Sequence, residues 1–341
     1  MNAEKTYFGA TRLHDILKSY PFYAGVVDSF TELPKTNANV NASFTIGAQR
    51  WVIKRYPGSY LTESLKLSHW FQQQLQSTAI PAATLVTTNT DRTYVTCDNA
   101  CYSIHTWVTG KQIDYAKDDI PSAVVESLAR NLARLHQAGK EIYSQQPAPR
   151  RRQNLLHWPL QYVARIRRAT HWRLPRLLWL RLKPVKTAQD RWVLDTFARL
   201  EPMAKQIGGF SGQGFSEVCY VHNDIYWGNL IFGPEDELRA FIDFDKLEVG
   251  SWLYEVGSAA ALCATSVVNI RDFIGAYEDE AGISLDIDLM VLAMMTKTVR
   301  SSLWCVLAHL QGTAADPAWL RAWSLHLEIC LQTIEAFAQA K

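Results

Sequence analysis

Two short apolar runs, each closely followed by side-chain oxygens, constrain this chain more than anything else in it. The first is Tyr220-Val221-His222-Asn223-Asp224-Ile225-Tyr226-Trp227-Gly228-Asn229-Leu230-Ile231-Phe232, and the second is Phe241-Ile242-Asp243-Phe244-Asp245. Val221 and the Leu230-Ile231-Phe232 run read as small strands, with residues 224–229 as a tight loop between them. The run Ala240-Phe241-Ile242 ends at Asp243. A hairpin turning through Gly233-Pro234-Glu235-Asp236 is expected to return Asp243 beside Asn229. Two carboxylates and an amide then meet at a strand end.

Such an oxygen-rich site suits magnesium, which takes one or two protein oxygens and completes its shell with phosphate and water. Asn229 and Asp243 supply that pair, and Asp224 is left as a base. The spacing His222-x-Asp224-x-x-x-x-Asn229, with an apolar-flanked Asp after it, is the catalytic-loop and metal-Asp arrangement of kinase-type phosphoryl transfer. The competing reading is a polar hairpin whose Asp and Asn cap their own backbone.

These residues, with Gly250 and Tyr254-Glu255-Val256-Gly257 beyond them, resemble the aminoglycoside phosphotransferase and choline kinase superfamily of small-molecule kinases. The resemblance covers roughly residues 25–310. It implies an α+β, bilobal, protein-kinase-like fold, with a small antiparallel-sheet N-lobe over residues 1–105 and a mainly helical C-lobe over 106–341. It also implies ATP or GTP as phosphoryl donor, Mg2+ as the metal, and a small-molecule hydroxyl as acceptor. Asp224 becomes the residue that orients and deprotonates that hydroxyl, and Asn229 and Asp243 the metal ligands. Glu255 stands where the family usually carries Asp, as a structural anchor.

A chain of 341 residues can bury a sizeable core. Its first residues lack a basic region leading into an apolar one, and no stretch reaches eighteen uninterrupted apolar residues, so a cytoplasmic protein is expected. The six cysteines are scattered in apolar runs and read as buried free thiols; Cys97-x-x-x-Cys101 lacks the second pair a metal site requires. The net charge of +2 hides an asymmetry. Eleven Lys and Arg fall between Arg150 and Lys186, a basic helical insertion with no Asp or Glu, leaving 24 basic residues against 33 acidic ones elsewhere. That block reads as a solvated helix face, a contact for an anionic acceptor, or a contact for an anionic membrane surface. No nucleic-acid module accompanies it.

Along the chain, a helix within residues 1–20 presents Leu13, Ile16 and Leu17 on one face. Strands over 30–33, 40–46 and 50–56 form an antiparallel meander. Its first connection, 34–41, occupies the place of a kinase glycine-rich loop but contains no glycine. Alternation places Val52, Lys54 and Tyr56 on one face of the third strand. By resemblance, Lys54 holds the nucleotide phosphates. Glu63 is the one carboxylate between Pro57 and Thr90, so a helical partner for Lys54 has to be Glu63. Further strands over 84–88, 93–97 and 101–108 lead to an interlobe hinge. There the backbone of Ile104, Thr106 and Trp107 is expected to read the adenine edge, with His105 as a packed hinge residue. A helix over 121–137 ends in the Leu135-His136 pair of the family, His136 being a structural hydrogen-bonder, and helices follow from 267 to 340.

The resemblance thus implies a magnesium-dependent kinase for a small alcohol, and a basic block bordering the site would favour an acceptor bearing a carboxylate or phosphate. The rival reading is a nucleotide-binding scaffold of the same fold without chemistry. Phosphorylation of protein side chains is disfavoured by the missing glycine-rich loop and by the lack of an Ala-Pro-Glu-type segment after Asp243.

Overall fold

The computed structural model describes residues 8, 10–33, 40–57, 63–115, 120–146, 155–171, 174–313 and 316–340. Residues 34–39 of the glycine-free connection and residues 150–154 and 172–173 of the basic block lie outside them. The chain forms two compact units, Met1–Lys111 with Arg239–Leu247, and Gln112–Leu238 with Glu248–Lys341. The first break thus falls six residues beyond the expected one at 105/106, and the segment carrying Asp243 returns to the first unit.

The first unit is an antiparallel sheet with helices packed on it. Its elements are α1 (Ala10–Leu17), β1 (Ser29–Glu32), β2 (Val40–Ile46), β3 (Gln49–Pro57), α2 (Glu63–Leu75), β4 (Leu85–Val86), β5 (Val95–Cys97) and β6 (Ala100–Thr106). The strand order is β1-β2-β3-β6-β4, with β5 also paired to β6. A two-residue turn at Gly47-Ala48 joins β2 to β3, and Gly47 takes the left-handed φ of +59° that such a turn requires. In α1, Leu13, Ile16 and Leu17 recur at helical spacing and are buried with Phe44, Ile53, Tyr102 and Ile104 of the sheet. The chain re-enters at Arg239, and the Phe241 N–H donates to Pro81 O at 2.8 Å.

The second unit is mainly helical. It contains α3 (Ser122–Gln145), α4 (Trp158–Arg168), the minimal strand pair β7 (Thr170–His171) and β8 (Leu174–Pro175), α5 (Arg176–Leu182) and α6 (Ala188–Gly208). Four short strands follow: β9 (Val218–Val221), β10 (Leu230–Phe232), β11 (Leu238–Phe241), which runs on into the first unit, and β12 (Glu248–Ser251). Helices α7 (Trp252–Cys263), α8 (Val267–Ala281), α9 (Ile287–Gln311) and α10 (Pro317–Ala340) complete it.

Every residue of α7 is buried, which explains a sequence that is apolar or small except at Glu255. Gly257 lets α9 approach: a Cβ there would lie 2.4 Å from that of Ala293. Gly139 does the same between α3 and β9, since a Cβ would stand 2.4 Å from Tyr220 O. Side-chain caps begin α6, α7, α8 and α9 at Thr187, Ser251, Ser266 and Asp286, each worth about 1 kcal/mol.

Helix α9 alone among the described residues has the length and apolarity to cross a membrane, and 67% of its most apolar window is buried inside this unit. It is a core helix. Within the basic block, Lys183 pairs with Asp190 at 2.7 Å and Arg167 pairs with Glu201, so α6 supplies the acids that the block itself lacks. All six cysteines are free, and five are buried.

Candidate active site

In the second unit, the loop after β9 is held from beneath by a buried carboxylate. Strands β9 and β12 pair antiparallel with Val221 opposite Glu248, and α7 starts directly after β12. That places Glu255, on the first turns of α7, under residues 222 and 223. One oxygen, Oε2, accepts the His222 N–H at 3.0 Å and faces His136 Nε2 at 2.9 Å, while Oε1 accepts the Asn223 N–H. His136 Nδ1 in turn meets the Tyr277 hydroxyl at 2.9 Å. Burial works against ionising Glu255, yet the His136 hydrogen bond, nearby histidine charge and the Asn223 N–H together hold it below the ordinary glutamate range.

Tied down in this way, Asn223 adopts a left-handed φ of +61° that asparagine tolerates better than most residues. The loop then turns through Asp224, whose N–H donates to His222 Nδ1 at 3.3 Å. Asn229, only 2% exposed, closes it: Nδ2 donates to Asp224 O at 2.9 Å and reaches Asp224 Oδ2 at 3.4 Å. Because the amide nitrogen is spent on Asp224, Oδ1 of Asn229 is the atom left to serve as a ligand. Gln112 Nε2 adds a bond to Gly228 O at 2.6 Å. The loop thus presents one partly exposed carboxylate, one oriented amide oxygen and a fixed backbone.

A cavity of this same unit borders the loop. Asn223 and Ile225, the neighbours of Asp224 on either side, line it, as do Glu248, Tyr254, Lys297 and Arg300. Lys297 and Arg300 lie one helical turn apart on α9 and so share a face. The Arg300 guanidinium also stacks 4.4 Å over the Trp158 ring. Burial raises the Tyr254 phenol, and Arg300 draws it partly back.

In the first unit, Lys54 sits in mid-β3, opposite Asn41 of β2 and Ser103 of β6, and is 6% exposed. Its ammonium lies 2.5 Å from Asp243 Oδ1 and 2.7 Å from Asp245 Oδ2. The Tyr56 ring is 5.2 Å away, and the Tyr56 hydroxyl donates to Asp245 Oδ1 at 3.4 Å. Asp243 takes a left-handed φ of +65°, an uncommon conformation that turns the chain into the single 3-10 turn 244–246. Burial, reinforced by Asp243, pushes the Asp245 carboxyl up to about 6 in spite of Lys54.

Two histidines lie in the same unit. His69 of α2 meets Thr93 Oγ1 at 2.9 Å, and His105 meets Ser103 Oγ at 3.0 Å. Burial, assisted by the Lys54 charge, lowers His69 to about 4; burial with His69 and Lys54 lowers His105 to about 3. Both are neutral imidazoles at physiological pH.

The sequence-based expectations fare unequally against this geometry. Asp224 and Asn229 are brought together. Lys54 and Asp243, far apart in sequence, meet directly. Glu63 does not join them: its side chain is 90% exposed and pairs with Lys66 at 2.9 Å, because it lies on the first, solvated turn of α2. Among the hinge positions, Ile104 is fully buried, the Thr106 N–H donates to Thr84 O at 2.9 Å, and the Trp107 N–H donates to Arg50 O at 3.1 Å. Those two amides are engaged within the sheet, and the Arg50 guanidinium covers the Trp107 ring at 3.6 Å. Asp245 was not singled out from sequence; its signal was the second carboxylate in Ile242-Asp243-Phe244-Asp245.

The sequence matches the phosphotransferase enzyme family APH over residues 29–284. The chain belongs to that family. Its fold is shared with an aminoglycoside phosphotransferase from Alicyclobacillus acidocaldarius subsp. acidocaldarius, at 15% identity, a TM-score of 0.68 and coverage of 96% of this chain and 95% of the other. A spectinomycin phosphotransferase crystallised with ADP and spectinomycin matches at 11% identity and a TM-score of 0.66, covering 96% and 99% of the two chains. The choline kinase LicA from Streptococcus pneumoniae matches at 13% identity and a TM-score of 0.52, covering 90% and 94%. No curated protein matches the sequence. Identities this low establish a common protein-kinase-like fold, with an antiparallel-sheet N-terminal region and a mostly helical remainder, and leave the acceptor to be argued from this chain's own residues.

Proposed function

We propose that this phosphotransferase moves the terminal phosphoryl group of ATP, or of GTP, to a hydroxyl of a small molecule. The observation that carries the reading is the His222 to Asn229 loop, in which a buried Glu255 fixes the backbone and Asn229 fixes Asp224. A loop that merely turned the chain would need no buried carboxylate beneath two of its amides.

Asp224 accepts the acceptor's hydroxyl proton and holds its oxygen in line with the phosphorus. Because the transition state of phosphoryl transfer is loose, the positioning matters more than the proton transfer. Lys54 steadies the transferring phosphates, and desolvation in the sheet strengthens that interaction. Asn229 Oδ1 and the Asp243 carboxylate are the oxygens that would hold magnesium, each a donor of the type it takes. Among the described residues no group of three or more His, Cys, Asp or Glu is arranged as a protein-only metal site. A metal held by one amide, one carboxylate and phosphate oxygens needs no such cluster. When bound, Mg2+ would neutralise charge building on the phosphates.

For the acceptor, an alcohol bearing a carboxylate or phosphate is favoured by the charge of Arg300, which lines a cavity of about 20 Å³ beside residues 223 and 225, room for a water as it stands. A catalytically silent scaffold is disfavoured, since Asp224, Asn229, Asp243 and Lys54 are all retained. The test is ADP release by purified protein with magnesium and ATP or GTP across glycerate, glycerol 3-phosphate, homoserine, ethanolamine, choline and aminoglycosides. The expected result is acceptor-dependent release with the acidic alcohols; nucleotide binding with silence across all acceptors would favour the scaffold.

A further inference from the structure

We propose that Asp245 is the positioning residue for Lys54, the part that sequence reasoning assigned to Glu63. The inference rests on the kinase reading for its purpose but on its own geometry for its content. Lys54 carries a charge in the body of a sheet, with its side chain only 8% exposed, and a charge so placed needs a counter-charge. The buried face of α2 offers none: it consists of Leu65, Ser68, His69, Phe71, Gln72 and Leu75. Compensation comes instead from Asp243 and Asp245, both within 2.7 Å of the ammonium.

The two carboxylates are not equivalent. The Asp243 side chain is 36% exposed, whereas that of Asp245 is 10% exposed and also receives the Tyr56 hydroxyl. Between them, Phe244 is buried and its ring lies 6.2 Å from Phe71 of α2, anchoring the turn that carries Asp245. An exposed carboxylate can exchange a lysine for a metal. A buried one cannot leave without stranding the lysine. With Asp243 given over to magnesium, Asp245 would keep Lys54 neutralised and aimed along the strand, and a separate helical glutamate would be unnecessary. Glu63 is accordingly free to sit in solvent.

The experiment is titration of a fluorescent trinitrophenyl-ATP analogue, with magnesium, into wild-type protein and the variants Asp245→Asn, Asp245→Glu and Glu63→Gln, each checked for folding by its thermal melt. Asp245→Asn is expected to weaken nucleotide binding by about tenfold or more, as loss of a charge-assisted contact implies. Asp245→Glu is expected to recover part of that loss, and Glu63→Gln to stay within about twofold of wild type. In turnover assays, Asp245→Asn should raise the nucleotide KM and leave the acceptor KM unchanged, a split that general loosening of the fold would not give. Folded Asp245→Asn binding as wild type does, or Glu63→Gln weakening binding as much, would overturn the assignment. Because binding is read without turnover, a wild-type protein that binds nucleotide yet phosphorylates nothing would defeat the kinase reading and leave this test standing.

Discussion

Glu255→Gln changes almost no volume and replaces one carboxylate oxygen by an NH2 group. In the native loop, Oε2 serves the His222 N–H and His136 Nε2, and Oε1 serves the Asn223 N–H. A glutamine has one acceptor oxygen for these two sites. Whichever way its amide turns, a donor faces a donor, and a buried N–H is left unsatisfied at about 1–3 kcal/mol. The surviving bonds lose their charge assistance, which is worth about 1 kcal/mol more. With Glu255 only 3% exposed, solvent cannot repair the loss. The sum, about 2–4 kcal/mol, is a large share of a typical domain's stability of about 5–15 kcal/mol. Urea denaturation should show that drop. The loop should also shift, and because a misplacement of about 1 Å can cost about 100-fold in rate, kcat should fall by one to two orders of magnitude. Glu255→Asp keeps the charge but withdraws it by one methylene, so it should lie between the two. The native carboxylate is held below its ordinary range, so its stabilisation is present above about pH 4.5 and lost as pH falls further, and Glu255→Gln should flatten that acid limb. A Glu255→Gln protein with unchanged urea midpoint and kcat would refute the role given to this residue.

Gly139→Ala should destabilise the protein by about 1–3 kcal/mol in urea, the reverse of the usual helix-interior gain, because its Cβ would meet Tyr220 O at 2.4 Å. Stability should also fall as pH drops from about 6.5 towards 4: His69, lowered to about 4 by burial, stays neutral in the fold while the unfolded chain takes up protons. Replacement by Asn should remove about 2–3 kcal/mol of that pH dependence, read from urea midpoints at several pH values. Arg300→Met should raise the KM of an acidic alcohol by about tenfold or more and leave the nucleotide KM unchanged in steady-state assays, since Arg300 is the cation proposed to face it beside residues 223 and 225.

Much of the architecture was legible because it is local. Leu13, Ile16 and Leu17 recur at helical spacing, Gly47-Ala48 marks a two-residue turn, and the His222 to Asn229 spacing fits a single loop. The partner of Lys54 was not legible in the same way. Sequence proximity pointed to Glu63, but that position lies on the side of α2 opposite its buried face, and a carboxylate nearly two hundred residues away stands closer. The left-handed backbone at Asn223 was equally hidden, because Glu255, thirty-two residues further on, ties its N–H from beneath. The Thr106 and Trp107 amides look available to a base in sequence, and only the register of β6 shows them engaged.

The central claim is that Asp224 positions an acceptor hydroxyl for phosphoryl transfer. Its most direct test is incorporation of label from ATP carrying 32P in the terminal phosphate into an acidic alcohol, comparing wild type with folded Asp224→Asn. Wild-type protein should label the acceptor in step with ADP formation, and Asp224→Asn should lose about 10²- to 10⁴-fold in rate with nucleotide affinity preserved. Undiminished labelling by Asp224→Asn would contradict it.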